Sequence, residues 1–187
     1  MLNSYHQKVK ILLILALWGC QDPGEVVFRE KCISCHRENN DLVPPAPIFT
    51  DYRIKADYVE KVLREGVEGT AMKPFNELSE REIKAVSRYI EKLTKREVKV
   101  DSSLISRGRY LFENICSSCH GINGDGEGVG KIIPPPPDFS KFNPLPQTTI
   151  RVLNEGIKGT TMYSFREILT EDDKRAVAEY ILLFFRE

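Results

Sequence analysis

The sequence predicts an all-α protein assembled as two tandem copies of one small helical unit. Three observations carry that prediction. The first is an internal duplication. Cys32-Ile33-Ser34-Cys35-His36 recurs 84 residues later as Cys116-Ser117-Ser118-Cys119-His120, and at the same shift Gly24 and Phe28 fall on Gly108 and Phe112. Downstream, Val62-Leu63-Arg64-Glu65-Gly66 aligns with Val152-Leu153-Asn154-Glu155-Gly156, and Gly69-Thr70-Ala71-Met72 with Gly159-Thr160-Thr161-Met162. The shift there is 90, so the second copy carries six extra residues between motif and methionine loop. The second observation is helical periodicity bounded by capping signals. The third is that no run of strand length alternates apolar and polar residues.

The elements follow in order. Lys8 and Lys10 precede an apolar run from Ile11 to Trp18, and Gly19-Cys20 closes it. The run is too short to span a bilayer, so residues 1–19 read as a signal peptide. Leu17-Trp18-Gly19-Cys20 resembles the lipobox of bacterial lipoproteins, in which the cysteine is acylated and becomes the first mature residue. Cys20 is thus the candidate lipidation site and residues 20–23 a lipid-anchored tether. Several acyl chains anchor stably where one binds only marginally. A tether of that length reaches about 15 Å, which would hold the first unit at the membrane surface.

The first unit, residues 24–93, begins with a helix carrying Gly24 and Phe28 and leads into the first motif. A loop with Pro44, Pro45 and Pro47 follows. Asp57 and Glu60 then read as a capping box over a helix whose stripe is Val59, Val62 and Leu63, and Gly66 stops it. After the Met72 loop, a last helix starts at Ser79 with Glu82 three residues on, and is expected to bury Ile83, Val86, Ile90 and Leu93. Residues 94–103 are polar without apolar periodicity and read as a linker that gives the second unit more reach. The second unit, 104–187, repeats the plan, with prolines from Pro134 to Pro137. Its last helix opens at Thr170 and buries Val177, Tyr180, Ile181 and Phe184. Units of about 70–80 residues lie near the lower limit for a self-sufficient core, and a buried prosthetic group would supply the missing apolar contents.

Composition narrows the function. The chain has 27 basic and 27 acidic residues, and two of the basic ones precede Cys20. The remainder is slightly acidic, without a basic block for nucleic acid and without a later apolar run that could cross a membrane.

Each Cys-x-x-Cys-His reads as a c-type haem attachment site. Two cysteines three apart can form thioethers to one haem, and the next residue brings an imidazole onto the proximal face of the iron. Cys32, Cys35, Cys116 and Cys119 are the candidate covalent attachment points, with His36 and His120 as iron ligands. Past residue 19 the inventory closes: five Cys, two His and two Met, with four Cys and both His inside the motifs. A four-cysteine zinc site would need its pairs closer together and leaves the histidines idle. A thioredoxin-like pair expects one motif in a βαβ context. The Gly-rich loop from Gly121 to Gly130 lacks the lysine of a phosphate loop and the spacing of a calcium loop, and reads as a flexible haem-edge loop. Two haem c groups are the cofactors expected, and covalent haem attachment outside the bacterial cytoplasm suits an exported, periplasmic protein.

Each half resembles a class I cytochrome c domain, and the whole is similar to the dihaem cytochromes c over nearly all of the chain past Cys20. In that family a Gly and an aromatic of the first helix pack on an aromatic of the last; Gly24, Phe28 and Tyr89 match this, as do Gly108, Phe112 and Tyr180. The resemblance implies that Met72 and Met162 supply the sixth iron ligands, a pairing that raises the haem potential. It also implies that a proline carbonyl after each motif orients the proximal histidine, without choosing which proline.

Two irons held by His and Met keep no open position for substrate. The expected function is therefore single-electron transfer at the outer face of a bacterial membrane, as a carrier or as a subunit of a respiratory complex. No catalytic residue is expected. The redox partner is expected to be membrane-bound and to sit near the first domain. The alternative is a small dihaem oxidoreductase, peroxidase-like or oxidising a sulfur compound, with one labile haem ligand.

Overall fold

A computed structural model describes residues 21–185. The signal peptide and Cys20 lie outside the described residues. Asp22 caps α1 (Pro23–Val27): its carboxylate accepts from Gly24 N at 2.8 Å, and Pro23 holds the first helical position. The helix then widens into a π-turn over Phe28–Cys32, where Ile33 N donates to Phe28 O. The wider turn places both Phe28 and Cys32 on the core side, and both are buried. No sequence signal foretold it.

The post-motif loop leads through a 3-10 turn at Phe49–Asp51 into β1 (Tyr52–Ile54), α2 (Ala56–Glu65) and α3 (Glu80–Thr94). The second repeat runs α4 (Ile105–Leu111), a matching π-turn over Phe112–Cys116, α5 (Ser117–His120), β2 (Phe142–Pro144), α6 (Pro146–Glu155) and α7 (Glu171–Leu182). Capping boxes open both last helices, Ser79 with Glu82 and Thr170 with Asp173. Gly66 and Gly156 end α2 and α6 at φ 72°, a conformation that favours glycine.

Two local expectations need correction. The Asp57–Glu60 capping box does not form, because pairing between the repeats sets where α2 begins. Lys55 N donates to Lys141 O at 2.9 Å, and the next amide, Ala56 N, donates to Glu91 Oε1 at 3.0 Å. Asp57 instead pairs with Lys141 at 3.0 Å and Glu60 with Arg64 at 3.1 Å. Leu93 is 38% exposed, since the last turn of α3 turns Thr94 inward instead. The Thr94 hydroxyl there accepts from Ile54 N at 3.2 Å.

In each repeat the first and last helices cross at contact distance. A Cβ on Gly24 would collide with the carbonyl of Ala85 and sit 2.7 Å from Tyr89 Cβ. A Cβ on Gly108 would collide with the carbonyl of Ala176 and sit 2.8 Å from Tyr180 Cβ. The missing side chain lets Phe28 meet Tyr89 with ring centroids 5.4 Å apart, and Phe112 meet Tyr180 at 5.6 Å. Two separate cores grow around these crossings, one per repeat.

The repeats also join each other. Strands β1 and β2, three residues each, pair antiparallel with Tyr52 opposite Pro144 and Ile54 opposite Phe142. The small sheet adds to an otherwise helical fold. Tyr52 stacks on Phe142 at 4.4 Å, and Arg151 pairs with Asp51 at 2.6 Å. Asn143, fully buried, donates to the carbonyls of Phe139 and Ile181 and accepts from Arg53. The linker is no free tether either. Arg96 donates to Thr50 O at 2.7 Å, and Asp101 N donates to Glu179 at 2.8 Å. The extra reach expected of the second unit is lost, because strands, ion pairs and linker fasten it to the first.

The crossing predicts that Gly108→Ala destabilises the protein by about 3 kcal/mol, since a backbone carbonyl cannot move aside as a side chain can. Gly130→Ala, where φ is 78° but no atom lies within 4 Å, should cost only about 1 kcal/mol. Urea unfolding of both variants separates lost space from backbone strain.

Candidate functional site

In each repeat the motif lies at the end of the first helix, and the proline loop and the methionine loop follow it in the chain. In the first motif the chain closes a turn, with Cys35 N and His36 N both donating to Cys32 O. The His36 ring stacks on Phe49 with centroids 4.4 Å apart. Its Nδ1 lies 2.8 Å from Pro47 O. A carbonyl only accepts, so Nδ1 carries the proton and Nε2 keeps the free lone pair. Of the candidate prolines, Pro47 is therefore the partner of His36. Burial lowers the basicity of His36, and the Pro47 bond opposes this only in part, so the ring is biased toward its neutral form.

The second repeat matches this with one difference. His120 stacks on Phe139 at 5.0 Å, and burial pushes its pKa down to about 4. Its Nδ1 is buried without a hydrogen-bond partner among the described residues. Burial thus favours the neutral form of both histidines, the form that ligates a metal.

The methionine loops are built alike, bond for bond. Val67 N donates to Met72 O at 2.8 Å, and Ile157 N donates to Met162 O at 2.8 Å. The Thr70 hydroxyl donates to Val67 O and accepts from Met72 N at 3.0 Å; Thr160 does the same between Ile157 and Met162. This explains the threonine in Gly-Thr-x-Met: it pins the methionine backbone. Both methionines are half-buried and packed against the core of their own repeat. The same loops reach across to the other repeat. A Cβ on Gly69 would lie 2.5 Å from Ile133, and one on Gly159 would lie 2.5 Å from Val43. Each methionine loop thus abuts the proline loop of its neighbour, a reciprocal contact that the linear sequence does not disclose.

The Gly-rich loop expected to be flexible is tied down. Gly126 N donates to His120 O, Val129 N to Ser118 O at 2.6 Å, and Phe139 N to Gly124 O at 2.7 Å. Glycine at 124 is required by a φ of 66° and by the Phe184 ring, which a Cβ would approach to 2.8 Å. Among the described residues, no group of three or more His, Cys, Asp or Glu could hold a metal ion by itself.

Neither motif pair is joined as a disulfide. Burial, with the neighbouring thiol, raises Cys32 to about 11 and Cys116 to about 12, while Cys35 and Cys119 are exposed. The residues fit a covalently held haem: one inner and one outer thiol per motif, a neutral imidazole with a free lone pair, and a thioether on a pinned loop.

A profile of the family described as cytochrome c oxidase, cbb3-type, subunit III matches residues 21–90 and 103–181. The chain belongs to this family. It is 28% identical over 149 residues to the CcoP subunit of the cbb3-type cytochrome c oxidase of Azospirillum brasilense, covering 70% of this chain and 48% of that protein. It is 35% identical over 74 residues to cytochrome c55X of Paracoccus denitrificans (strain Pd 1222), covering 40% of this chain and 68% of that one. The chain thus spans about half the length of CcoP. Among solved structures, the reducing HAO-like protein complex Kustc0457/Kustc0458 of Kuenenia stuttgartiensis aligns over 90% of this chain and 98% of its own at 21% identity and a TM-score of 0.44. Haem c and electron transfer belong to cytochromes c as a class. No helix among the described residues is long and apolar enough to cross a membrane.

The thiol environments give a prediction for haem-free chain at neutral pH. Iodoacetamide should modify Cys35 and Cys119 on the order of tenfold or more faster than Cys32 and Cys116, because the thiolate is the nucleophile and burial suppresses it. Peptide mapping against labelling time reads this out.

Proposed function

We propose that the chain carries two haem c groups and passes single electrons between them and its redox partners. In this reading Cys32 and Cys35 hold the first haem and Cys116 and Cys119 the second. His36 with Met72, and His120 with Met162, would ligate the two irons. The haem supplies the one-electron redox change when bound, and the protein supplies ligands, packing and access. Phe49 and Phe139 stack on the imidazoles, and Pro47 O holds the proton on Nδ1 of His36, which leaves Nε2 free to bind a metal. Thr70 and Thr160 fix the backbone from which each thioether projects. One observation carries the reading: the two methionines past Met1 sit on identically bonded loops, each in the repeat that already offers a neutral histidine.

The proposal extends to place and partner. Residues 1–19 act as a signal peptide, Cys20 is acylated, and the protein works at the outer face of a bacterial membrane as a carrier or subunit of a respiratory complex. Because the second repeat is fastened to the first, the membrane-bound partner and a second partner would meet one body. The domain limits proposed are 24–93 and 104–187, with 94–103 as a pinned connector.

Met72→Ala and Met162→Ala test the ligand set. Each should abolish the sulfur-to-iron absorption of one haem only, lower that haem's potential, and open its iron to carbon monoxide. Reduced wild-type protein should bind no carbon monoxide. Binding by the wild type would mark a labile ligand and replace the carrier reading with that of a small oxidoreductase.

A further inference from the structure

The last helix of the first repeat carries a basic stripe that neither core packing nor the haem crevice uses. Arg81, Lys84, Arg88 and Lys92 lie at helical steps of three and four, within an arc of about 80° on α3. All four are exposed, and none makes a hydrogen bond or ion pair among the described residues. They line one surface groove with Asp22 and Pro23, the residues that follow Cys20 most closely after Gln21. Two carboxylates border it. Glu80 is held by Arg64 at 2.7 Å, and Asp22 accepts from Gly24 N at the start of α1. Lys84 also acts on Glu80 through its charge, and the four cations outweigh the two carboxylates.

The duplication supplies an internal control. At the repeat offset of this helix, the corresponding positions are Asp172, Arg175, Glu179 and Leu183. There Arg175 pairs with Asp172 at 3.4 Å, and Glu179 accepts from Asp101 N at 2.8 Å. The same helix face thus carries two acids and one base in the second repeat, and is positive only beside the N-terminal tether. Packing cannot explain the difference, because both helices bury their opposite sides in equivalent crossings.

We infer that the α3 stripe is a docking face for anionic phospholipid headgroups, laid flat on the membrane beside the acylated Cys20. The inference rests on the proposed acylation for the direction in which this face points. Basic residues near an anionic leaflet gain from its surface potential within a Debye length. A lipid on Cys20 brings the groove within that distance, since only Gln21 intervenes before Asp22. Lipid and stripe together would fix the orientation of the first repeat, and the pairing of the repeats would transmit it to the second.

The test uses the full haem-loaded protein with Cys20→Ala, so that no acyl chain contributes. Its partition onto phosphatidylglycerol–phosphatidylcholine vesicles should exceed that onto pure phosphatidylcholine by on the order of a hundredfold at low salt, and fall as salt rises. Lys84→Glu, Arg88→Glu and Lys92→Glu together should abolish the difference while the helical circular dichroism stays unchanged. Lys61→Glu, Lys99→Glu and Lys158→Glu, an equal change of net charge at exposed sites elsewhere, should leave most of it. Equal partition onto both vesicles overturns the inference, as does equal loss in the two triple variants or binding only to an acidic protein. The intact mass of wild-type chain from native membranes reports acylation separately, so the two readings fail by different measurements.

Discussion

The contact on which each repeat depends is the crossing of its first and last helices at a glycine. At Gly24 and again at Gly108, any side chain would occupy the space of a backbone carbonyl on the partner helix. The close approach brings Phe28 to Tyr89 and Phe112 to Tyr180, and these rings pack with the core of their own repeat. It also fixes where the first helix delivers its π-turn, and so where the two cysteines and the histidine begin. A unit this short buries too little apolar surface to tolerate a loose crossing. The site geometry is downstream of that one contact.

A second constraint acts between the repeats. The two-stranded sheet, the stacked Tyr52 and Phe142, and the ion pair of Arg151 with Asp51 hold them in one arrangement. Exposed ion pairs add little individually, so apolar stacking and the buried Asn143 carry more of this joint. The reciprocal seating of Gly69 against Ile133, and of Gly159 against Val43, means that neither methionine loop can swing outward without disturbing the other repeat. In its proposed role of presenting a thioether to iron, each loop would gain rigidity from a neighbour it does not share a core with.

Much of the fold was legible in the residues. Repeat, helices, both last-helix caps and the glycine stops follow from periodicity and local chemistry. The candidate site residues were legible too, because cysteine, histidine and methionine are scarce here and fall at equivalent positions. What escaped was set by distant partners. Asp57 failed as a cap because Lys55, bonded to Lys141 across the repeat joint, starts the helix before it. The linker looked free because its anchors, Thr50 and Glu179, lie far along the chain. The π-turns arise from packing both Phe and Cys inward, for which no short pattern exists. Pro47 could be chosen over its neighbours only once the His36 ring had a direction.

In the proposed function each motif holds one haem through both of its thiols. Acid denaturation removes any cofactor held only by ligation, so protease mapping by mass spectrometry of the denatured protein, isolated from a host that attaches haem to exported proteins, tests it directly. One haem mass is expected on the peptide of Cys32 and Cys35, and one on the peptide of Cys116 and Cys119. Bare peptides, disulfide-linked peptides, or haem on a single motif would contradict it.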